Sequence, residues 1–176
     1  MPSESVEDYL EAIYTVQRTK GYARTTDIKK IMDHSAASVT EMFQKMDRDG
    51  YVNYEKYGGV TLTKEGLRIA ILVSTRHKIL TNFFEILGIP ADIAQDDACK
   101  IEHNVHSQTM ERLTRFVEFV QAGPENPRWL DHFQEFWKTG NVVHCSECEQ
   151  HLKETENNPS ENNHVAKPQS HIHLSE

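Results

Sequence analysis

Cys99, Glu102 and His103 stand at i, i+3 and i+4 within Asp96-Asp97-Ala98-Cys99-Lys100-Ile101-Glu102-His103. On a helix this spacing projects a thiolate, a carboxylate and an imidazole from one face. All three are metal-ligand types, but three donors within one turn do not close a coordination sphere. Donors that complete it stand about ninety residues upstream. In Asp8-Tyr9-Leu10-Glu11 two carboxylates at i and i+3 again share a helical face. The residues point to a divalent-metal site clamped between the first helix and a much later one, with a DNA-reading module between them.

The 176 residues suffice for one or two small domains with real cores. With 38% hydrophobic and 26% charged residues, the composition is that of a soluble globular protein. No apolar run approaches the ~20 residues of a membrane span, and the acidic start lacks a signal-peptide pattern. The expectation is a cytoplasmic protein with no membrane partner. There Cys99, Cys145 and Cys148 are thiols or metal ligands rather than disulfides. The net charge of −8 hides a division: Lys20 to Lys78 holds 11 Lys and Arg against 7 Asp and Glu, and the remainder 8 against 20. A basic segment inside an acidic chain suits a DNA-facing module on a cation-attracting body.

Val6, Tyr9, Leu10, Ile13, Tyr14 and Val16 predict a first helix over about 5–19, with Ser5 as its cap. Glu4, Glu7, Asp8 and Glu11 form its opposite, acidic stripe, which taken alone reads as a solvated face. After Gly21, Thr25 or Thr26 caps a short helix from Asp27 to Met32, with Ile28 and Ile31 turned inward. A turn through Asp33-His34-Ser35-Ala36 leads to a third helix over Ala37–Asp49, burying Val39, Met42, Phe43 and Met46.

This is a helix-turn-helix pattern. Its recognition helix presents Ser35, Ser38 and Thr40 at its start, with Glu41, Gln44 and Lys45 along the exposed side. Short hydroxyl side chains let such a helix sit deep in the major groove, while Gln44 and Lys45 reach bases or phosphates. Two β-prone runs, 51–55 and 60–63, flank Lys56-Tyr57-Gly58-Gly59 and predict a hairpin. Helix-turn-helix plus hairpin is a winged helix, whose wing carries Lys56 and Tyr57 along the phosphate backbone.

Lys64 to Leu87 reads as a long amphipathic helix with more apolar surface than a small wing domain covers. Its expected fates are a dimer interface and interdomain packing. Arg76 and His77 interrupt it, and His77 alone reads as an interior or boundary histidine. Helices follow over about 92–105, 108–121 and 129–137. The expected fold is mainly α: a winged helix-turn-helix over 1–66, a helical dimerisation and metal-binding domain over 67–140, and a tail over 141–176.

The winged helix, then Arg76-His77, then Ala98-Cys99-x-x-Glu102-His103, resembles the iron- and manganese-dependent repressors of the diphtheria-toxin-repressor and manganese-transport-regulator family. The likeness covers about residues 5–122. Glu7-Asp8-Tyr9-Leu10-Glu11-x-Ile13-Tyr14, Gly21-Tyr22-Ala23-Arg24, Ser38-Val39-Thr40, Gln44-Lys45, Tyr54-Glu55-Lys56-Tyr57 and Ile101-Glu102-His103 look like the manganese branch. The resemblance implies one metal site from Asp8, Cys99, Glu102 and His103, and a neighbouring one from Glu11 and His77, with Glu102 shared. It also implies a homodimer that binds a palindromic double-stranded operator and represses metal-uptake genes under Fe(II) or Mn(II).

Position 99 departs from that branch, where a glutamate is expected; cysteine is the iron branch's residue. The iron branch in turn has methionine where this chain has Asp8, so the donor set is a hybrid. Thiolate favours iron(II), cobalt, nickel or zinc over manganese, which tilts the set toward iron(II).

Cys145 and Cys148 form a CxxC flanked by His144 and His151, half of a Zn(II) site with His151 as a further donor. The alternative function that follows is a winged-helix regulator sensing redox state or zinc through Cys145 and Cys148. A metal-dependent hydrolase fits poorly, because no further acid/base constellation accompanies the carboxylates, and the expectation is that the protein is not an enzyme. From Lys153 onward the composition predicts a disordered tail.

Overall fold

The computed structural model describes residues 2–124 and 127–142. Cys145, Cys148, His144, His151 and the tail lie outside the described residues. The described residues up to 127 form one compact unit and those from 128 a second.

Helix α1 (Glu4–Lys20) starts after Ser3, whose carbonyl accepts from the Val6 and Glu7 amides, and ends at Gly21 in the left-handed region. The expected Ser5 cap is thus two residues late. Helix α2 (Thr25–Met32) starts at Arg24, not at a threonine cap: the Asp27 carboxylate accepts from the Arg24 amide at 3.1 Å. Ile28 is buried, but Ile31, expected inward, is 52% exposed. A helix this short buries one narrow stripe, and Ile28 fills it.

Helix α3 (Ala36–Arg48) is capped by Ser35, whose hydroxyl accepts from the Ser38 amide at 3.1 Å. Val39, Phe43 and Met46 are fully buried and Met42 partly so. Strands β1 (Val52–Glu55) and β2 (Gly59–Leu62) pair antiparallel, with Val52 opposite Leu62 and Glu55 opposite Gly59. Ala23 adds an isolated bridge to Val60, bringing the segment before α2 onto the wing. The Gln17 side chain of α1 accepts from the Leu62 amide at 2.9 Å. The winged helix is therefore closed around α1.

Helix α4 (Lys64–Ile86) runs from the wing into the second half of this unit. Its first part, with Ile69, Ala70 and Val73, belongs to the core of the winged helix. Its later part, with Leu80, joins Ala98 and Met110 in a second cluster that Ile79, Phe84, Val105 and Leu113 extend. Helices α5 (Ala91–Ile101) and α6 (Ser107–Ala122) supply the rest of that cluster. Helix α5 stops four residues earlier than expected, leaving Glu102 as its C-terminal boundary and His103 in the turn beyond. In the second unit α7 (Arg128–Thr139) is amphipathic, with Trp137 exposed.

The joint between wing and α4 is tight at Gly66. A Cβ there would collide with the Tyr51 carbonyl oxygen. That oxygen cannot retreat without loss, because it accepts from the Thr63 amide and hydroxyl, both at 3.0 Å. Gly66→Ala is expected to cost about 1–3 kcal/mol through overpacking. A lowered urea midpoint at unchanged m-value checks it.

Candidate metal centre

Three donor atoms, one each from Asp8, Glu102 and His103, lie within 4.8 Å of one another. Asp8 comes from α1, while Glu102 and His103 come from the end of α5, so tertiary packing brings together groups ninety-odd residues apart. The site forms there because α4 packs against both α1 and α5. Arg76 on α4 donates to the Glu102 carbonyl at 3.4 Å, which helps to fix that end of α5.

Two of the three donors, His103 and Glu102, are held from behind. His103 Nδ1 and Glu7 Oε2 are 2.8 Å apart, and both side chains are nearly buried, at 4% and 3% exposure. With Nδ1–H donating to Glu7, the lone pair of the neutral ring is at Nε2, the tautomer a metal requires. Glu102 is arranged in the same way: Oε2 lies 2.8 Å from His77 Nδ1, which leaves Oε1 for another partner. His103 Nε2 is 2.8 Å from Asp8 Oδ1 and 3.3 Å from Glu102 Oε1. Neither contact has hydrogen-bond geometry, so Nε2 and Oε1 are both buried without a hydrogen-bond partner.

A buried polar atom without a partner costs about 1–3 kcal/mol. Two of them converging with a third anionic oxygen is what an oxygen- and nitrogen-rich cation site needs, and these residues fit such an ion.

Glu7 was read as part of a solvated stripe, and this is corrected: it is 2% exposed and turned to His103. Its sequence signal was available, since Glu7 and Glu11 stand at i and i+4 beside Asp8, but one helix alone does not reveal which side carries the imidazole.

The remaining expected ligands surround the cluster without joining it. The Glu11 carboxyl is raised above its ordinary range by burial and then by the charge of Glu102, against the pull of His77 and the Ser74 hydroxyl. Asp8 is raised by burial against the pull of His103. The hydrogen bond to Glu102 lifts His77 above the ordinary imidazole value. At His103 burial works against the proton, but the Glu7 hydrogen bond with the Asp8 and Glu102 charges prevails and raises it. Cys99 is exposed, on the last turn of α5. Partial desolvation, then the charges of Glu102, Asp8, Glu11 and Asp96, raise its thiol above the ordinary value.

Of the residues expected to face DNA, the structure exposes Ser35, Ser38, Gln44, Lys45, Lys56 and Tyr57. Thr40 is half-buried and donates to the Ala36 carbonyl at 2.8 Å, and Ser35 is engaged as the α3 cap. The Lys56 ammonium stands 5.7 Å from the centre of the Tyr57 ring, at a wing tip where Tyr57 is 91% exposed. Among the described residues no helix is long and apolar enough to cross a membrane.

Two outcomes follow from this geometry. Glu7→Gln weakens the acceptor that orients His103 and is expected to lower Mn(II) affinity on the order of 10-fold, read by electron paramagnetic resonance titration. Protons compete with the cation at His77 and His103, whose raised values keep them protonated to a pH above the ordinary 6.5. Metal affinity therefore falls as pH drops through that region, and titrations at stepped pH check the sign.

Residues 1–60 match the family model of the iron dependent repressor N-terminal DNA binding domain. Residues 63–130 match that of the iron dependent repressor metal binding and dimerisation domain. An HTH-type transcriptional regulator MntR from Lysinibacillus sphaericus is 37% identical over 131 residues, 74% of this chain and 94% of the relative. Its namesake from Oceanobacillus iheyensis is 40% identical over 121 residues, 69% of this chain and 82% of the relative. Among solved structures, a manganese-dependent transcriptional repressor in complex with manganese is 31% identical with a TM-score of 0.60. The match covers 65% of this chain and 53% of that one, so this chain corresponds to about half of it. IdeR of T. acidophilum is 27% identical at a TM-score of 0.57, covering 62% of this chain and 53% of that one. The chain belongs to the iron dependent repressor family of metal-dependent, DNA-binding transcriptional repressors, and carries that family's DNA-binding and metal-binding domains in order.

Proposed function

We propose that this protein is a non-enzymatic repressor of metal-uptake genes, acting in the cytoplasm as a homodimer on a palindromic operator, with Fe(II) or Mn(II) as its corepressor. The observation that carries this reading is the pair of buried, unpartnered acceptors on Glu102 and His103, facing Asp8 from another helix. The ligand set is Asp8, Glu102 and His103, with Glu11, His77 and Cys99 completing the coordination around them. Residues 1–66 read DNA, 67–140 hold metal and dimerise, and 141–176 form a tail whose Cys145, Cys148 and His151 are a candidate Zn(II) site.

A divalent cation supplies the positive charge that this concentration of carboxylates lacks. The charge of Glu102 raises the proton affinity of both Asp8 and Glu11, a mark of repulsion across the seam between α1 and α5. Asp8 and Glu7 on α1 face His103 beyond α5, so the seat of α1 depends on the charge balance there. Because α1 is bonded to the wing through Gln17, that seat sets the orientation of the winged helix. Ser38, Thr40, Gln44 and Lys45 are presented to the major groove, while Lys56 and Tyr57 follow the backbone.

The donor chemistry sets the metal preference. Carboxylate oxygens and imidazole accept iron or manganese alike, while a thiolate from Cys99 favours iron(II). Using Cys99 requires loss of a proton that its surroundings help it to keep.

Anaerobic fluorescence anisotropy with a labelled fragment from upstream of a metal-uptake gene tests the reading. Tight binding is expected with Fe(II) or Mn(II) and not with chelator, and Asp8→Ala is expected to abolish the difference. Equal binding by the wild-type protein in chelator and in metal would refute it. Cys99→Ser is expected to lower Fe(II) affinity more than Mn(II) affinity.

A further inference from the structure

We propose that Tyr9 is a positioning residue that carries the state of the metal site to the recognition helix, through the hydrogen bond between its hydroxyl and His34. The inference rests on the reading that metal at Asp8, Glu102 and His103 governs DNA binding, and it names the route.

Tyr9 follows Asp8 directly, yet it serves a different part of the molecule. Its side chain is buried, with the residue 1% exposed, and its hydroxyl lies 2.8 Å from His34 Nδ1. The two rings also meet, at 5.8 Å between centroids and 37° between planes. His34 is exposed, and it sits in the turn immediately before Ser35, the cap of α3. Asp33, just upstream, has φ 51°, a left-handed conformation that a residue with a side chain adopts at a cost. The turn thus has little apolar anchoring of its own, and Tyr9 ties it to α1.

The tie is placed to transmit motion. Val6, Tyr9, Leu10 and Ile13 lock α1 into the core, so it moves as one rod. A rigid translation of α1 that seats Asp8 against Glu102 and His103 carries the Tyr9 hydroxyl with it. His34 and the start of α3 follow. Ser35 and Ser38, the first DNA-facing groups, come directly after. A cleft of about 340 Å³, whose lining includes Tyr9, His34, Ser38, Glu41 and Met42, opens beside this contact. Close packing therefore does not hold the turn on that side, and the hydrogen bond has a correspondingly larger share. The bond from Gln17 to the wing stands two turns further along α1 and serves a different DNA-facing element.

Coupling between sites is established by energetic non-additivity rather than by adjacency. Full-length wild type, Tyr9→Phe, His34→Ala and the double variant are compared. Mn(II) binding is measured by electron paramagnetic resonance, and operator affinity by anisotropy in Mn(II) and in chelator. Tyr9→Phe removes one oxygen and keeps the ring. It is expected to bind Mn(II) within about twofold of wild type and to match it in chelator. Its metal-dependent gain in operator affinity is expected to shrink roughly three- to tenfold, the worth of one neutral hydrogen bond. His34→Ala should reduce that gain similarly, and the double variant no further. A wild-type gain in Tyr9→Phe, or additive losses in the double variant, would overturn the proposal while leaving the metal switch intact. A parallel loss of Mn(II) affinity and chelator-state binding would show a merely structural role and overturn it too. No gain in the wild-type protein would instead defeat the repressor reading on which it rests.

Discussion

The structure depends on two buried acceptors that have nothing to accept. Glu102 Oε1 and His103 Nε2 are shielded from water, face an anionic Asp8, and lack hydrogen-bond partners. Folding does not leave such atoms alone without a reason, since each costs about 1–3 kcal/mol. Their orientation is not accidental either, because Glu7 and His77 each occupy the other end of the same side chain. The chain spends stability on a pre-arranged cluster of donor atoms, and α4 packs against both helices that supply it.

Helix α1 converts this local arrangement into something the rest of the molecule can read. Its 17 residues reach three separate parts of the molecule. Glu7 and Asp8 meet the end of α5, Tyr9 meets the turn before α3, and Gln17 meets β2. Its apolar residues belong to the winged-helix core. On the proposed reading, a change in charge balance at one end reaches the DNA-facing elements without any need for those elements to touch the metal.

Cys99 shows how one residue shifts the chemistry without changing the architecture. A carboxylate there would add another anion to a region that already repels ionisation. A thiol adds none until its proton leaves, and its surroundings raise the cost of that departure. The region thereby carries one anion fewer for as long as the thiol keeps its proton.

Much was legible in the residues themselves. The 3–4 spacing of Val6, Leu10, Ile13 and Val16, and of Val39, Phe43 and Met46, determined α1 and α3 because a helix must bury one continuous stripe. Tyr51 to Thr63, with its glycine pair, determined the wing, since hairpins need a turn that glycine permits. Donor types alone determined which residues were candidates for metal. Tertiary structure decided the rest. It placed Glu7 behind His103 instead of in water, turned Ile31 outward, and ended α5 at Ile101 so that Glu102 is buried while Cys99 is exposed. It also joined Tyr9 to His34. Local spacing tells which side chains share a face, but which other element that face meets depends on contacts between distant segments, and those exist only once the chain has folded.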